Sequence, residues 1–468
     1  MSERDDVAAL IARARAAQRI VDGWDQARVD ELAVAAAWAI VEPARNRALA
    51  ECAVRDTGLG NVEDKIAKNR RKTMGLVRDL AGAKTVGVIA EDRARGLIQI
   101  ARPAGVVAAI TPSTNPGATP ANNIVNALKC RNAIVLAPSP KGATTLDLLL
   151  TFVYAEFDRI GAPHDLVLSL PKPVTREHTR ELMRQADLVV ATGSARNVRA
   201  AYESGTPALG VGPGNVAVIV DETADVASAA RKIAQSKTFD NATSCSSENS
   251  VIAVAQVAQD LAAALMAEGG VFLHDDETRK LEQCMFPDGA RAQEFVAQPV
   301  AAIAQRAGLV RPEVTRARFL IVEATGVGHA HPFSGDKLSP VLAFYRAADF
   351  AAAAAVADSI LRHQGAGHSV GLHSTIGKRA IELGLTLPVS RVIVNQAHCF
   401  ATGGSFDNAL PFSLSMGCGT WGGNSFSDNL NYRHFLNITR VVHPLAPSDV
   451  REPTEDELFG EYRARRGA

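Results

Sequence analysis

The first part of the chain carries its hydrophobic residues at helical spacing. Between residues 7 and 54, apolar side chains such as Val7 and Leu10 recur every three to four positions, and the pattern is interrupted near Gly23 and Pro43. A period of 3.6 residues is typical of an amphipathic helix, and glycine and proline are frequent near helix ends. We therefore expect the chain to begin with a series of helices.

Beyond residue 96 the pattern changes to short apolar runs rich in β-branched residues, which are separated by segments of helical length. Strands this apolar must have both faces of their sheet covered, as in parallel βαβ units. The series predicts a doubly wound, Rossmann-type nucleotide-binding domain over residues 1–210. Its strands are expected at 105–111, 132–138, 165–171 and 187–194, and its helices at 120–129, 143–159 and 176–185.

A second series of the same kind predicts a second α/β domain over residues 211–412. Its apolar runs again alternate with Ala-rich segments of helical length, such as 347–362. The fold class is therefore α/β, with two domains built on parallel sheets. The strands of the second domain are expected at 215–221, 250–255, 319–324, 340–346, 369–374 and 391–396.

Two stretches, 96–103 and 437–444, fit neither series and are predicted to be extended arms. Such arms pair between subunits or form an ordinary hairpin within one chain, and the sequence leaves both open. The second arm lies in a C-terminal segment, 413–445, to which we assign an oligomerisation role in a homodimer or homotetramer. Residues 446–468 have the polar, charged composition of a tail.

Charge and cysteine content exclude several classes of function. The 468 residues contain 50 Lys and Arg against 50 Asp and Glu, so no overall basic field favours nucleic acid as a partner. The six cysteines form no CxxC pair and are expected to be reduced thiols. The sequence shows neither a signal peptide nor an apolar window of about 18 residues, so we expect a cytoplasmic protein without a membrane partner. The histidines lack ligands at metal spacing, and no metal is expected.

Cys245 is the leading candidate for a reactive side chain. It lies in TFDNATSCSSENS (238–250), a small polar stretch between a predicted helix and a predicted strand. A reactive thiol needs access and polar neighbours that stabilise the thiolate, whereas structural cysteines usually lie in apolar segments. The rival is Cys418, but the glycines around it favour tight packing. On this pattern alone, an unreactive thiol at position 245 remains open.

Two glycine-containing turns are candidates for ligand binding. Gly193 and Ser194 end a predicted strand and begin a helix, where free N–H groups attract phosphate, although an ordinary N-cap explains Ser194 equally well. GVGPGN (210–215) places three glycines before the next strand, where a backbone can approach a ligand closely. This loop does not have the GxGxxG spacing, so it is a weak signal by itself.

Several motifs together resemble the CoA-acylating branch of the aldehyde dehydrogenase superfamily, in that family's order along residues 10–442. The resemblance implies a cofactor domain, a catalytic domain and an oligomerisation arm. It also implies the conversion of an aldehyde, CoA and NAD or NADP to an acyl-CoA and the reduced cofactor. The motifs are AITPSTNPGATPANNIVNALKCRNAIVLAPSPKG (109–142), ALGVGPGN (208–215), QSKTFDNATSCSSENSVI (235–252), KLSPVLAFYRA (337–347), GAGHS (365–369) and SMGCGTWGGNSFSDN (415–429).

By the same resemblance, Cys245 is the nucleophile that forms a thioester, and Asn115 supplies the amide that stabilises the oxyanion. Asn122 is implied near the substrate. His368 is implied near the substrate or CoA, with a polar loop histidine of no special role as its alternative. Lys141 hints at NADP. The implied cofactor contacts are Thr111, Pro112, Ser113, Ser139, Lys141, Gly193, Ser194, Gly212 and Asp336.

One departure from the wider family bears on the reaction class. Hydrolytic relatives carry a glutamate in an E-L-G-G loop, where it activates water, and the matching loop here has Val211. The resemblance therefore implies transfer to CoA, because a thiol is a good nucleophile and needs less activation than water. Hydrolysis to the free acid and a non-catalytic scaffold role stay open as alternatives.

The expected substrate is a short, polar aldehyde. Asn122, Asn123 and the stretch NQAHCFATGGSFDN (395–408) are more polar than an acetaldehyde pocket requires, and buried amides need hydrogen-bond partners. The stretch 395–408 and GTWGGNSFSDNLNYRH (419–434) resemble most closely the members that act on sulfoacetaldehyde, which is the first choice. Acetaldehyde, propionaldehyde and glycolaldehyde remain alternatives.

Overall fold

The computed structural model describes residues 2–466. Four helices open the chain, and the first two breaks fall at Gly23 and Pro43, which confirms the helical prediction for this region. Each helix begins after a side chain that accepts a hydrogen bond from the first turn, which satisfies one of the free N–H groups there. The helices are α1 (Glu3–Asp22), α2 (Gln26–Val41), α3 (Pro43–Thr57) and α4 (Val62–Leu80).

Two antiparallel strands, β1 (Gly87–Asp92) and β2 (Leu97–Pro103), lead into the first parallel sheet. This sheet has five strands in the order β5-β4-β3-β6-β7, and helices cover both of its faces. Its strands are β3 (Val106–Thr111), β4 (Ala133–Pro138), β5 (Val167–Ser169), β6 (Leu188–Thr192) and β7 (Ala208–Val211), and its helices are α5 (Ala118–Lys129), α6 (Ala143–Ile160), α7 (Arg176–Gln185) and α8 (Ala195–Glu203).

The second sheet has seven parallel strands in the order β10-β11-β12-β9-β8-β13-β14, with a hydrophobic core on each face. Both sheets confirm the predicted α/β fold class. The strands are β8 (Val216–Val220), β9 (Glu248–Val254), β10 (Gly270–Phe272), β11 (Phe319–Glu323), β12 (Val341–Ala347), β13 (Val370–His373) and β14 (Val392–Val394). The helices are α9 (Val226–Thr238), α10 (Ala255–Ala267), α11 (Asp275–Met285), α12 (Val300–Arg306), α13 (Pro312–Thr315), α14 (Phe350–His363), α15 (Gly377–Thr386) and α16 (His398–Ala401).

The two predicted arms pair with each other within one chain. Strand β15 (Leu436–Val442) lies antiparallel to β2, and β1 completes a three-stranded sheet with the order β1-β2-β15. Strand β1 was absent from the sequence prediction, because it is short and mixes apolar with acidic residues. One edge of β15 has no partner strand among the described residues, and its side chains are largely exposed. The C-terminal region ends in an exposed helix, α17 (Glu455–Arg466).

Within residues 2–466, no helix is both long enough and apolar enough to cross a lipid bilayer.

Helix α4 packs closely against Phe412, the residue just before the C-terminal segment. At Gly75 the helix lies directly on the ring of Phe412, so that an added Cβ would come within 2.2 Å of ring carbon atoms. Phe412 is completely buried and its backbone N–H donates to the carboxylate of Asp79, one turn along the same helix. This contact fixes α4, which carries several side chains of the site described below.

We expect Gly75→Ala to lower the free energy of unfolding by about 1–3 kcal/mol, because the methyl group would displace the Phe412 ring from a well-packed position. Gly460→Ala is the matched control, since it also replaces a helical glycine but lies on exposed α17 with no close contact. The control is expected to change stability by less than about 1 kcal/mol. Urea unfolding of both variants checks this, and equal midpoints would contradict the packing described.

Candidate active site

A cleft of about 860 Å³ lies between the two parallel sheets. Its wall includes the carboxyl ends of β3, β4, β6 and β7 and the loop before β9. The carboxyl ends of parallel strands are the usual place for ligands in α/β proteins. The predicted site residues that line this cleft are Thr111, Pro112, Ser113, Asn115, Ser139, Gly193, Ser194, Gly212, Cys245 and Asp336.

Three predicted site residues lie outside this wall. Lys141 is exposed in a 3-10 turn, and Asn122 is buried within α5. His368 is completely buried, yet its Nε2 lies 3.5 Å from the sulfur of Cys245. His368 is therefore next to the predicted nucleophile, whereas the roles assigned to Lys141 and Asn122 stay predictions.

A strained turn precedes Cys245 and places it in the cleft. Asp240, Asn241 and Ala242 have φ values of 50°, 50° and 58°, a left-handed conformation that residues with a side chain rarely adopt. The backbone N–H of Asp240 donates to Asp64 of α4, and its carboxylate accepts from the backbone N–H of Asn61 at 2.9 Å. The turn thus depends on α4 for its shape.

Two lysines of α4 pair with the Asp240 carboxylate. Lys65 lies 3.0 Å from Oδ2, and Lys68 binds the same oxygen. Burial would raise the pKa of Asp240, but the charges of Lys68 and Lys65 outweigh it and hold that pKa below its usual value. Burial lowers the pKa of Lys65 to about 8. The carboxylate is therefore ionised at neutral pH and keeps the loop of Cys245 attached to α4.

Lys68 also determines the orientation of Asn115. Its Nζ donates to Asn115 Oδ1 at 2.8 Å and to Thr243 Oγ1 at 3.1 Å. Because an ammonium group has only donors, the amide oxygen of Asn115 must face Lys68, and its NH₂ group remains available to the cleft. The backbone N–H of Cys245 has no acceptor among residues 2–466. These two groups are suitable donors for a developing oxyanion.

A buried chain of hydrogen bonds begins at the Cys245 sulfur. His368 Nε2 faces the sulfur, His368 Nδ1 lies 2.7 Å from Ser369 Oγ, and Ser369 Oγ lies 2.8 Å from His398 Nε2. Burial, followed by the nearby charge of Arg391, lowers the pKa of His368 to about 3. The imidazole is therefore neutral at pH 7, with one ring nitrogen able to accept a proton.

The Cys245 thiol itself is not ionised in the ligand-free protein. Although the residue is half-buried, desolvation raises the pKa of its thiol to about 12, and the negative charge of Asp336 contributes in the same direction. Attack on an electrophile therefore requires proton removal, and His368 Nε2 is a ring nitrogen in contact with the sulfur.

The glycine loop packs against the nucleophile. An added Cβ at Gly214 would lie 2.4 Å from the carbonyl oxygen of Cys245 and 3.0 Å from the His368 ring, so only glycine fits here. Val211, at the end of β7, lines the cleft with an aliphatic side chain. The only acidic side chain among the described residues of the cleft wall is that of Asp336.

Asp336 is occupied by protein partners. Its carboxylate accepts from Asn249 Nδ2 at 3.0 Å and from Arg291 Nη1 at 3.3 Å. A carboxylate that is paired in this way is a poor base for water. Its expected contact with a cofactor ribose stays a prediction.

The end of the cleft formed by β6 and α8 is suited to phosphate. Gly193 has a φ of 140°, and Ser194 is the N-cap of α8, where its Oγ accepts from the N–H of Asn197. The N-cap interpretation of Ser194 is therefore correct, and the remaining N–H groups of this helix end still favour an anion. Three arginines that are exposed to solvent also line this end: Arg176, Arg180 and Arg196.

The sequence analysis missed Lys68, Lys72 and the three arginines. Lysines on an amphipathic helix are usually solvent-exposed, so the segment VEDKIAKNRRK (62–72) gave no indication of a site. A usable signal was the spacing of Lys65, Lys68 and Lys72, which places all three on one helix face. Over residues 2–466, no three His, Cys, Asp or Glu side chains are grouped to hold a metal ion.

Comparisons with known proteins extend over most of the chain. The model of the aldehyde dehydrogenase family matches residues 1–272. The acylating sulfoacetaldehyde dehydrogenase of Cupriavidus necator is 62% identical over 461 residues, which cover 98% of this chain and 93% of that protein.

Two solved structures are similar in fold. The acetylating aldehyde dehydrogenase from Geobacillus thermoglucosidasius has 36% identity and a TM-score of 0.91, covering 97% of this chain and 98% of that one. A propionaldehyde dehydrogenase from Rhodopseudomonas palustris, with bound CoA and an acylated cysteine, has 25% identity and a TM-score of 0.81, covering 93% and 97%.

The raised pKa of Cys245 predicts how its alkylation depends on pH. Below the pKa the thiolate fraction rises about tenfold per pH unit, so the rate of alkylation by iodoacetamide should rise by about tenfold for each pH unit, about 100-fold in all, between about pH 7 and pH 9. Mass spectrometry identifies the modified residue, and Cys245→Ala shows the background from the other thiols. A plateau near neutral pH would contradict an un-ionised thiol.

Proposed function

The chain belongs to the aldehyde dehydrogenase family, and we propose that it is an acylating member that oxidises sulfoacetaldehyde to sulfoacetyl-CoA through a thioester on Cys245. The observation that carries this proposal is the composition of the cleft wall. It joins a cysteine to an orienting amide at Asn115, and it offers no free carboxylate to activate water among residues 2–466.

The reaction begins when Cys245 adds to the aldehyde carbon. Its proton passes to Nε2 of neutral His368, and the carbonyl oxygen becomes an alkoxide. The Asn115 NH₂ group and the Cys245 N–H donate to that oxygen. NAD(P)⁺, when bound, supplies the acceptor for the hydride. The carbon then carries a thioester to the Cys245 sulfur.

Cys245 is then released by thiol exchange. The CoA sulfur forms a bond to the acyl carbon as the bond to the Cys245 sulfur breaks. The departing Cys245 sulfur takes back the proton held on His368 Nε2, and the CoA proton is lost to solvent. The sum is aldehyde, CoA and NAD(P)⁺ going to acyl-CoA, NAD(P)H and one proton. Val211 takes no part, and its aliphatic side chain cannot activate a water that would compete.

The polar end of the cleft is proposed to hold the phosphates of NAD(P) and of CoA. Gly193 and the N-terminus of α8 offer backbone donors, while Arg176 and Arg196 bring positive charge to the same end. Thr111, Pro112, Ser113 and Ser139 follow the carboxyl ends of β3 and β4 and are proposed to contact the rest of the cofactor. Lys141 follows Ser139 by two residues, but its side chain is exposed and lies outside the cleft wall.

The substrate assignment rests on the relative with 62% identity, whose name gives sulfoacetaldehyde. Acetaldehyde, propionaldehyde and glycolaldehyde are the alternatives, and each shares the same chemistry at Cys245. These aldehydes differ from sulfoacetaldehyde in charge, since only sulfoacetaldehyde carries a sulfonate at neutral pH.

We also propose that the enzyme is a cytoplasmic homodimer or homotetramer. All six cysteines are free thiols, as a reducing compartment would keep them. The unpaired edge of β15 exposes backbone groups and the side chain of Val442, which a second chain can cover. Light scattering after size-exclusion chromatography measures the assembly.

We expect formation of NAD(P)H from sulfoacetaldehyde to require CoA, and Cys245→Ala to abolish it while leaving the fold unchanged by circular dichroism. Acetaldehyde and propionaldehyde are compared under the same conditions. Turnover without CoA to the free acid would mean that water is activated in spite of Val211, and a faster neutral aldehyde would displace sulfoacetaldehyde as the substrate.

Lys68→Met should lower kcat by about 10- to 100-fold, because the Asn115 amide loses the partner that orients it. Lys65→Met is the matched control, since it removes the other lysine on Asp240 and does not touch Asn115. Adding Asn115→Ala to Lys68→Met should cost little more, because both act on one interaction. Equal losses in the two lysine variants would assign the effect to the Asp240 turn instead.

A further inference from the structure

Lys72 is a buried lysine in the wall of the active-site cleft. It lies on α4 one turn after Lys68, on the same face of the helix, and it is the only lysine that lines the cleft within residues 2–466. Only 8% of its surface is exposed. Nothing in the reaction described above uses it.

Its ammonium group has no acidic partner. Nζ donates to the carbonyl oxygen of Gly403 at 2.7 Å and to that of Gly404 at 3.3 Å. No carboxylate among residues 2–466 lies within ion-pair distance of it, in contrast to Lys65 and Lys68, which share Asp240. An ammonium group has three donors, so one remains for a ligand.

Burial without a counter-charge is unfavourable for a cation. Burial, together with the neighbouring charges of Arg71 and Lys68, lowers the pKa of Lys72 to about 7. An anionic group that entered the cleft beside Nζ would supply the missing charge and restore the ammonium form. The geometry of the site therefore favours an anion at this position.

A second unpaired donor lies in the same cleft. Thr119 lines the wall from α5, is 1% exposed, and its hydroxyl has no hydrogen-bond partner. Asn122 follows one helical turn after Thr119. It is buried outside the cleft wall, and its NH₂ group is also unpaired. Helices α4 and α5 pack against each other. Buried polar groups rarely remain unpaired in a native protein, so these donors indicate a ligand that carries several acceptors.

The spacing agrees with a short substrate. Lys68 holds Asn115, which marks the position of the aldehyde oxygen, and side chains one helical turn apart lie about 5–6 Å from each other. In sulfoacetaldehyde a single methylene group separates the carbonyl carbon from the sulfonate. A sulfonate has three acceptor oxygens, which can accept from Lys72 and Thr119, the two donors that line the cleft.

We propose that Lys72 is a specificity-determining residue that binds the sulfonate of the substrate, with the Thr119 hydroxyl as a second donor. This assignment rests on the proposed function and deepens it. Lys72 would then make the cleft selective for aldehydes that carry an anionic group close to the carbonyl. Neutral aldehydes have no group that binds it.

The test compares kcat/KM for sulfoacetaldehyde and for propionaldehyde at saturating CoA. In Lys72→Met the ratio of the two is expected to fall about 10- to 100-fold, the usual effect of losing a hydrogen bond to a charged group. Turnover of propionaldehyde should be retained, which also shows that the variant folds. Arg71→Met is the matched control, because this neighbouring cation bonds to Ser405 outside the cleft wall. Its ratio should not fall, because removal of the Arg71 charge can only favour the ammonium form of Lys72.

A second variant and a second measurement keep the test independent of turnover. Thr119→Val, which preserves volume, should lower the same ratio by about 3- to 10-fold. Ethanesulfonate carries the anion without an aldehyde, and it should protect Cys245 from alkylation in the unmodified protein and not in Lys72→Met.

The outcomes separate the two proposals. The role of Lys72 would be overturned if the ratio of kcat/KM for the two aldehydes were unchanged in Lys72→Met. It would also be overturned if ethanesulfonate gave no protection. Both results are possible even if the enzyme is an acylating dehydrogenase. An enzyme that prefers propionaldehyde, yet is protected by ethanesulfonate only when Lys72 is present, would refute the proposed substrate and retain the anion site.

Discussion

The buried carboxylate of Asp240 is the interaction on which the active site depends. It belongs to the turn before Cys245, and it pairs with Lys65 and Lys68 of α4, a helix that packs against α2, α3 and α5. Three consecutive residues of this turn are held in a left-handed conformation, which costs of the order of 1–3 kcal/mol each. The ion pairs and the bond from Asn61 offset this cost. They also fix the positions of Cys245, Asn115 and Lys72 relative to each other, because all three are linked through α4.

Electrostatics divide the cleft into three regions. Arginines lie at the end where cofactor phosphates are proposed, and a lone lysine lies where the sulfonate of the substrate is proposed. The centre between them holds an un-ionised thiol beside an uncharged imidazole. A neutral centre keeps the thiol protonated until an electrophile arrives. In the proposed reaction, negative charge then develops on the aldehyde oxygen, where Asn115 and the Cys245 N–H can donate to it, an arrangement that favours a transition state over a ground state.

Much of the fold could be predicted from the sequence, because buried parallel strands are apolar along their whole length. Strand β1 could not, since its residues are mixed and it gains its order from pairing with β2. The polar neighbours of Cys245 made it a candidate, and the resemblance to a family supplied both its expected role as nucleophile and that of Asn115. Lys68 and Lys72 were not recognisable, because a lysine on a helix is ordinarily exposed. Only the tertiary contact with Asp240 or with the cleft distinguishes them from surface residues.

In the proposed reaction, Val211 has an effect that reaches beyond the choice of nucleophile. An enzyme that hydrolyses its thioester dissipates the free energy of that bond, so the hydrolysis is effectively irreversible. Exchange between two thioesters is nearly isoenergetic, so here the oxidation is stored in a bond that can still acylate other molecules. The same protein can therefore reduce an acyl-CoA when the ratio of reduced to oxidised cofactor is high. One aliphatic side chain in place of an acid thus makes the direction of flux depend on the concentrations around the enzyme.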